Sequence, residues 1–429
     1  MNRLSPALIL LAVACGPKGP VPPAIEPSAL AAPPEAPPLT SPAPVPPVPS
    51  PGLQLVETFP VETTLDDPDI PEAHVVWADL FAGAKRRIDL EQFYVSPRPD
   101  GPGRLQPLIT ALEDAAARGV AVRILSDAKF AKTYPDTLAA LGAIEGIEVR
   151  LYDMKPVRGG VQHSKFFRVD DTVYLGSQNF DWRSLEHIHE LGVVVREPRA
   201  AADIGAVFEQ DWAIASGGPV PPTAEPAADE DGPSPTPYRG GTVHMEAVAS
   251  PGDLLPPGVD WDLPHLLDAI LGAEERVRVQ LLSHAVMGYD KQEWRDLDQA
   301  LRDAAARGVE VQLMVSDWSK KGHKLEALQQ LARVDGVTVK FVVIPDWSGG
   351  FVEFSRTIHS KYMTVDADWS WVGTSNWSRD YFHSSRNVGV VVDGALFAED
   401  LDRVFSRIWE SEYAEVVDPE GTYTPRKVR

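Results

Sequence analysis

Two short runs in this chain hold residue types suited to acid–base and phosphoryl-transfer chemistry. They are His163, Lys165 and Asp170, followed by Gly176 and Asn179, and His359, Lys361 and Asp366, followed by Gly373 and Asn376. Both have the spacing H-x-K-x-x-x-x-D. With ten histidines in 429 residues, chance repetition with matching tails is very improbable, so the pair is read as functional. Imidazole, with an ordinary pKa of ~6.5, can serve as nucleophile or general acid near neutral pH. Lysine cations and asparagine amides can stabilise the negative charge of a pentacovalent phosphorus. Two sets in one cleft suit a phosphodiester: one histidine attacks phosphorus and the other protonates the leaving oxygen, a scheme that calls for no metal or other cofactor.

On a strand, residues two apart share a face, so His163 and Lys165 are expected side by side, as are His359 and Lys361. Asp170 and Asp366 complete each motif and are carried with the catalytic set. Their odd offset from the histidines, and their place in Val-Asp-Asp-Thr and Val-Asp-Ala-Asp, nevertheless predict a turn or ion-pair role. Asn179 and Asn376, with Ser177 and Thr374 beside them, are the expected phosphate binders. His187, His189 and His383 have no companions at metal-ligand spacing and are expected as surface or loop residues. Trp182, Trp377, Tyr381 and Phe382 are expected in packing rather than base stacking. Lys155, Arg158 and Arg356 either guide a phosphate or are solvated loop charges.

The elements that must position these residues occur twice. Asp114 to Val122 (DAAARGVAV) returns as Asp303 to Val311 (DAAARGVEV), and Ser126-Asp127 as Ser316-Asp317, which marks an internal duplication. In the first half, a helical apolar face from Leu105 to Ala116 stops at Gly119, which suits a left-handed residue after a helix. Further expectations are a strand at 120–125, a helix at 138–144 and strands at 147–152, 163–169 and 172–176. The second half repeats this with 297–307, 309–315, 325–331, 337–343, 359–365 and 369–372. Such alternation implies α/β architecture, with an α/β sandwich in each half.

Residues 1–14 have one arginine and a short apolar run, which reads as a cleaved export signal too short to span a membrane. Cys15, the only cysteine, follows it and resembles a bacterial lipoprotein acylation site. A lipid anchor there would place the protein in the bacterial cell envelope, with plain secretion as the alternative. Residues 15–54 are then a Pro-rich tether favouring extended polyproline II. The halves are expected at 55–215 and 242–420, joined by a Pro-, Gly- and acid-rich linker at 216–241 and followed by a tail at 421–429. A formal net charge of -22 opposes tracking along nucleic acid by a basic stripe, but leaves room for capture of a strand end.

The paired motifs resemble those of the phospholipase D superfamily, a likeness that covers about residues 55 to 415. The runs YLGSQNFDWRSL at 174–185, Glu190-Leu-Gly-Val-Val, GTSNWS at 373–378 and Tyr381-Phe382 look closest to the branch containing phospholipases D three and four, exonucleases of single-stranded nucleic acid. The resemblance implies two pseudo-twofold halves sharing one active site, a phosphohistidine intermediate and no metal cofactor. It carries catalysis to His163 and His359, phosphate binding to Lys165, Lys361, Asn179 and Asn376, and the histidine-orienting acid to Glu190. Asn387 holds the position equivalent to Glu190 in the second half, so the residue orienting His359 is unassigned. A carboxylate partner would favour His163 as nucleophile. The substrate is single-stranded nucleic acid on the branch resemblance, or phospholipid on the membrane anchor and acidity. A non-catalytic binding protein is the third reading, against which both histidines and both lysines are retained.

Overall fold

The runs at 120–125, 309–315 and 337–343 place apolar residues at every second position and turn continuously apolar at their ends, where both faces are covered. In the computed structural model, which describes residues 51–221, 232–288 and 291–429, they are interior strands of two mixed sheets. The expected signal, the acylated Cys15 and most of the tether lie outside the described residues.

The first sheet runs, in spatial order, Leu53–Thr58, Ile188–Val195, Thr172–Gly176, Phe166–Val169, Arg87–Gln92, Ala121–Asp127 and Ile147–Tyr152. The second repeats it with Gly241–Ser250, Asn387–Asp393, Trp369–Gly373, Tyr362–Val365, Arg276–Leu281, Glu310–Ser316 and Val337–Val342. It gains Ser234–Tyr238 at one edge and Ala414–Val416 at the other. In each sheet the last three shared strands are parallel, connected by crossover helices, and the motif strands pair antiparallel beside them.

Strand alternation divides the apolar side chains into three cores. Phe167 and Tyr174 join an outer core beneath the helices Ala73–Gly83 and Gln106–Ala117. Met363 and Trp371 do the same beneath Asp262–Gly272 and Asp296–Ala306. Their neighbours Phe166, Val173, Leu175, Tyr362 and Val372 turn the other way, into a core shared by both halves and by the helices Pro198–Ala215 and Ala395–Trp409. This shared core brings the two motif segments together.

Gly119 has φ +89 after its helix, the left-handed conformation predicted for it. The helix expected at 138–144 begins earlier, at Pro135, a residue suited to a first turn. Regular strand begins only at Phe166 and Tyr362, not at the motif histidines. The preceding backbone is occupied elsewhere: His163 N donates to Arg386 O at 2.9 Å, and His359 N to His189 O at 2.8 Å, each in the opposite half.

Two expected boundaries also move. The strand Leu53–Thr58 begins inside the expected tether. Within the expected linker, Ser234–Tyr238 forms a hairpin with Gly241–Ser250, so the second half begins earlier than 242. The tail at 421–429 packs on the second sheet and its loops. Tyr423 lies edge-on to Phe341, and Arg426 pairs with Asp317 at 3.2 Å and Asp346 at 2.9 Å.

The Glu190 strand approaches Tyr174 so closely that a Cβ on Gly192 would lie 2.3 Å from the Tyr174 hydroxyl. Gly192→Ala should therefore destabilise by about 1–3 kcal/mol through overpacking. Gly83→Ala, whose Cβ meets nothing within 4 Å, serves as the reference. Denaturant unfolding checks this, and equal stability of the two variants would refute the close packing.

Candidate active site

His163 and His359 approach from opposite halves and line one cavity of about 950 Å³, together with Asn179 and Asn376. Each histidine is nearly buried, with 6% and 8% of its surface exposed. Lys165 and Lys361 are buried, and each Nζ donates to the carbonyl of its own motif histidine. Asn376 Oδ1 accepts from Ser283 N at 3.3 Å. Asn376 Nδ2 and Asn179 Oδ1 have no hydrogen-bond partner among the described residues, and rotating the Asn179 amide would offer its donor instead. Two amides thus line the cavity beside the histidines, and two buried lysines are bonded to the carbonyls of those histidines.

The orienting partners are crossed between the halves. Glu190 does not orient His163. Its carboxylate lies 2.8 and 3.0 Å from Nδ1 of His359, while His163 Nδ1 lies 3.0 Å from Asn387 Oδ1. The cause is the cross-half pairing of the backbone. Thr357 and Ile358 lie parallel to Ile188 and His189, and Gln162 lies parallel to Arg386. Each orienting residue is therefore delivered to the other half's histidine.

The two partners set different protonation states. Asn387 Nδ2 donates to the Tyr381 and Ser385 carbonyls at 2.8 and 3.3 Å, which fixes the amide with Oδ1 toward the imidazole. His163 Nδ1 must donate to that oxygen, leaving Nε2 with a bare lone pair. Burial, then Lys165 and Lys361, hold His163 well below the ordinary histidine range, so the ring is neutral. Burial pushes Glu190 up to about 8 against the pull of Lys361, and burial with Lys361 and Lys165 pushes His359 well down. At neutral pH this pair shares one proton between the carboxylate and Nδ1, which leaves a second proton on His359 Nε2. His163 Nε2 is thus a free acceptor and His359 Nε2 a donor. The carboxylate partner expected to favour His163 as nucleophile lies instead on His359.

Ser177 and Thr374 are not placed as phosphate ligands. Ser177 Oγ donates to Leu191 O and accepts from Leu191 N, both at 3.1 Å, locking the neighbouring strand. Thr374 Oγ1 donates to Asn387 Oδ1 at 3.0 Å and accepts from Val388 N at 3.1 Å. Asp170 and Asp366 are not at the reacting centre either. Both have φ +53 in turns. Asp170 accepts from the amides of Lys85, Arg86 and Arg87, and Asp366 from those of Glu274, Glu275 and Arg276.

His187 and His189 are buried rather than on the surface. Trp377 and Phe382 are in the core, and Trp182 packs beside Arg98. Tyr381 lines the cavity and sits edge-on to His163. Lys155 also reaches the cavity, whereas Arg158 pairs with Asp253, and buried Arg356 donates to the Pro345 and Val61 carbonyls. Beyond the sequence-derived set, Phe93, Tyr94, Phe130 and Tyr134 form an aromatic wall on the His163 side, with Lys129 and Lys132 beside it. Apolar alternation gave no sign of this wall, because its residues come from loops.

A family model described as "Cardiolipin synthase, PLD-like domain" matches residues 78–212 and 266–409. The 5'-3' exonuclease PLD3 of Rattus norvegicus is 32% identical over 396 residues, covering 84% of this chain and 78% of that protein. Phospholipase D Z of Dictyostelium discoideum is 30% identical over 385 residues, covering 84% of this chain and 90% of that protein. In fold, phosphatidylserine synthase of Haemophilus influenzae matches with a TM-score of 0.58 at 12% identity, over 80% of this chain and 85% of that one.

The assigned roles separate by leaving group. His163→Ala should abolish turnover of every phosphodiester. His359→Ala and Glu190→Gln should lose far more activity on an alkyl leaving group than on p-nitrophenolate, which departs without a proton. Burial depresses Lys361 to about 7, so it is cationic only below that value. The Glu190–His359 pair loses its shared proton near 8. Free-enzyme kcat/KM should therefore fall as pH rises through about 7 to 8, and a flat profile to pH 10 would contradict this charge assignment.

For Asp170 and Asp366, burial raises the carboxyl, but three backbone donors outweigh it and hold each below the ordinary range. Their stabilisation is complete above the unfolded value of ~3.9 and is lost as pH falls through the lower folded value. Asp170→Asn and Asp366→Asn should lower Tm at pH 7 while kcat stays within roughly threefold. The Tm difference should narrow as pH falls below the unfolded value of ~3.9 and close once pH is below the lower folded value. Loss of turnover without loss of Tm would restore these aspartates to the catalytic set.

Proposed function

The chain belongs to the phospholipase D-like family and is a phosphodiesterase, and we propose that it shortens single-stranded nucleic acid from one end through a phosphohistidine on His163. Nε2 of His163 attacks phosphorus as the bond to the leaving oxygen breaks, and that oxygen takes the proton from His359 Nε2. Water then attacks the phosphohistidine, returns a proton to His359 and releases the phosphorylated end. Lys165, Lys361, Asn179 and Asn376 offset the charge on the non-bridging oxygens in both steps.

The observation that carries the choice of substrate is the wall beside His163. Tyr94 stacks on Phe130 and Tyr134, with centroids 6.0 and 5.1 Å away, and Lys129 and Lys132 stand next to these rings. Flat rings beside cations suit a base and its phosphate. A cavity of about 950 Å³ suits a strand end. The formal charge of -22 disfavours internal tracking, and the likeness to an enzyme named 5'-3' exonuclease points the same way. As part of the same reading, the body is exported and tethered to a membrane through Cys15. Phospholipid hydrolysis or transfer is the second reading, favoured by that anchor and by the likeness to phospholipase D Z.

Single-stranded oligonucleotides and, separately, phosphatidylglycerol micelles should be supplied in excess EDTA. Stepwise shortening from one end is expected, equal in rate to that in magnesium. Phe130→Ala should raise KM for oligonucleotides roughly tenfold through lost stacking. Phosphatidic acid formation beside inert oligonucleotides would replace this reading with the phospholipid one.

A further inference from the structure

Beneath the cavity, one ion pair is fully buried and joins the two halves. Arg386, from the segment before the Asn387 strand, presents Nε and one terminal nitrogen to the Asp211 carboxylate at 2.7 and 2.9 Å. Asp211 lies on the helix Pro198–Ala215 of the first half, and both residues are 0% exposed. The remaining guanidinium nitrogen donates to Ser250 O at 3.0 Å, so the fork is bonded on each side. The backbone of Arg386 meanwhile brackets the nucleophile segment. Its carbonyl accepts from His163 N at 2.9 Å, and its amide donates to Val161 O at 3.0 Å. The next residue, Asn387, sets the tautomer of His163.

The other motif has no such anchor. The corresponding residue is His189, whose Nδ1 lies 3.2 Å from Ser360 Oγ and whose Nε2 lies 3.9 Å from the buried Glu57 carboxylate, beyond hydrogen-bond reach, with that carboxyl pushed up to about 8 by burial. Burial holds that ring neutral, at about 3. The acid segment is thus held by neutral groups and the nucleophile segment by a charge-assisted fork, which is the more directional restraint.

We propose that Asp211 and Arg386 are positioning residues for His163, holding Arg386 and Asn387 in the register that aims Nε2 at phosphorus. The proposal rests on His163 as nucleophile, and it predicts an effect on the covalent step with little effect on substrate capture.

Removing one partner would strand a buried charge, so both should be replaced by apolar residues, as Asp211→Leu with Arg386→Met, in the full-length protein. Arg386→Lys, which keeps the charge and loses the fork, is made alongside. Turnover of a p-nitrophenyl phosphodiester and acid-trapped phosphoenzyme in single turnover are then measured with Tm. Arg403→Met is the control, since it bonds Asp67 of the first half as well as Asp400 and so also joins the halves but, unlike Arg386, makes no backbone bond to the Val161–His163 segment.

In whichever Arg386 variant folds, kcat and phosphoenzyme formation should fall at least tenfold with KM within threefold. The control should keep its kcat at an equal or greater loss of Tm. Near-parental kcat in a folded Arg386 variant, or an equal fall in the control, would overturn the positioning role. His163→Ala run in parallel separates the premises: activity surviving there would overturn the nucleophile assignment itself.

Discussion

Each motif histidine takes its backbone restraint from the opposite half, through His163 N to Arg386 O and His359 N to His189 O. The rest of the site follows from this exchange. A strand that continued its own ladder through the histidine would keep the motif within one sheet. Because the ladder breaks off before the histidine, each segment crosses to the other half and meets the residue that fixes its ring. The shared core of Phe166, Leu175, Tyr362 and Val372 supplies the apolar burial that holds the sheets at this distance. Burial and chemistry are thereby coupled, since the surface that joins the halves also desolvates the histidines and lysines.

The duplication is faithful in backbone and unequal in charge. Ser177 and Thr374 lock equivalent strands, and Asp170 and Asp366 cap equivalent turns. The change from Glu190 to Asn387 alters one functional group at equivalent places and separates two imidazoles into a bare nitrogen and a proton donor. A carboxylate can hold a shared proton beside its ring, whereas an amide oxygen accepts and nothing more. The lysines serve both rings and remain identical. Burying two ammonium groups near each other is unfavourable, and it is offset when an anionic phosphodiester enters.

Much of the fold was legible because it rests on local rules. The repeated DAAARG runs, the glycine after each and the apolar strand segments all appear at or near their expected positions. The motif residues were legible because residue type and spacing repeat. The crossing was not, since no local pattern states which histidine residue 190 will face; that depends on how two sheets stack. Ser177 and Thr374 look like phosphate ligands beside Asn179 and Asn376, yet their hydroxyls turn to the adjoining strand, whose identity is a matter of sheet order. Phe93, Phe130 and Tyr134 are separated along the chain and meet only where their loops converge. The packed tail shows the same limit, because Arg426 finds Asp317 and Asp346 only after the second sheet has formed.

The crossed partners bear on how one half could work by itself. A lone half carries a histidine and an orienting residue that cannot reach each other, so it would complete a site only by pairing with a second copy about a twofold axis. In that symmetric pair both histidines would have the same partner, and a substrate could enter in either of two equivalent orientations. Joining the halves in one chain allows residues 190 and 387 to differ. The cleft then acquires a polarity, with the end to be phosphorylated held toward His163 and the departing end toward His359.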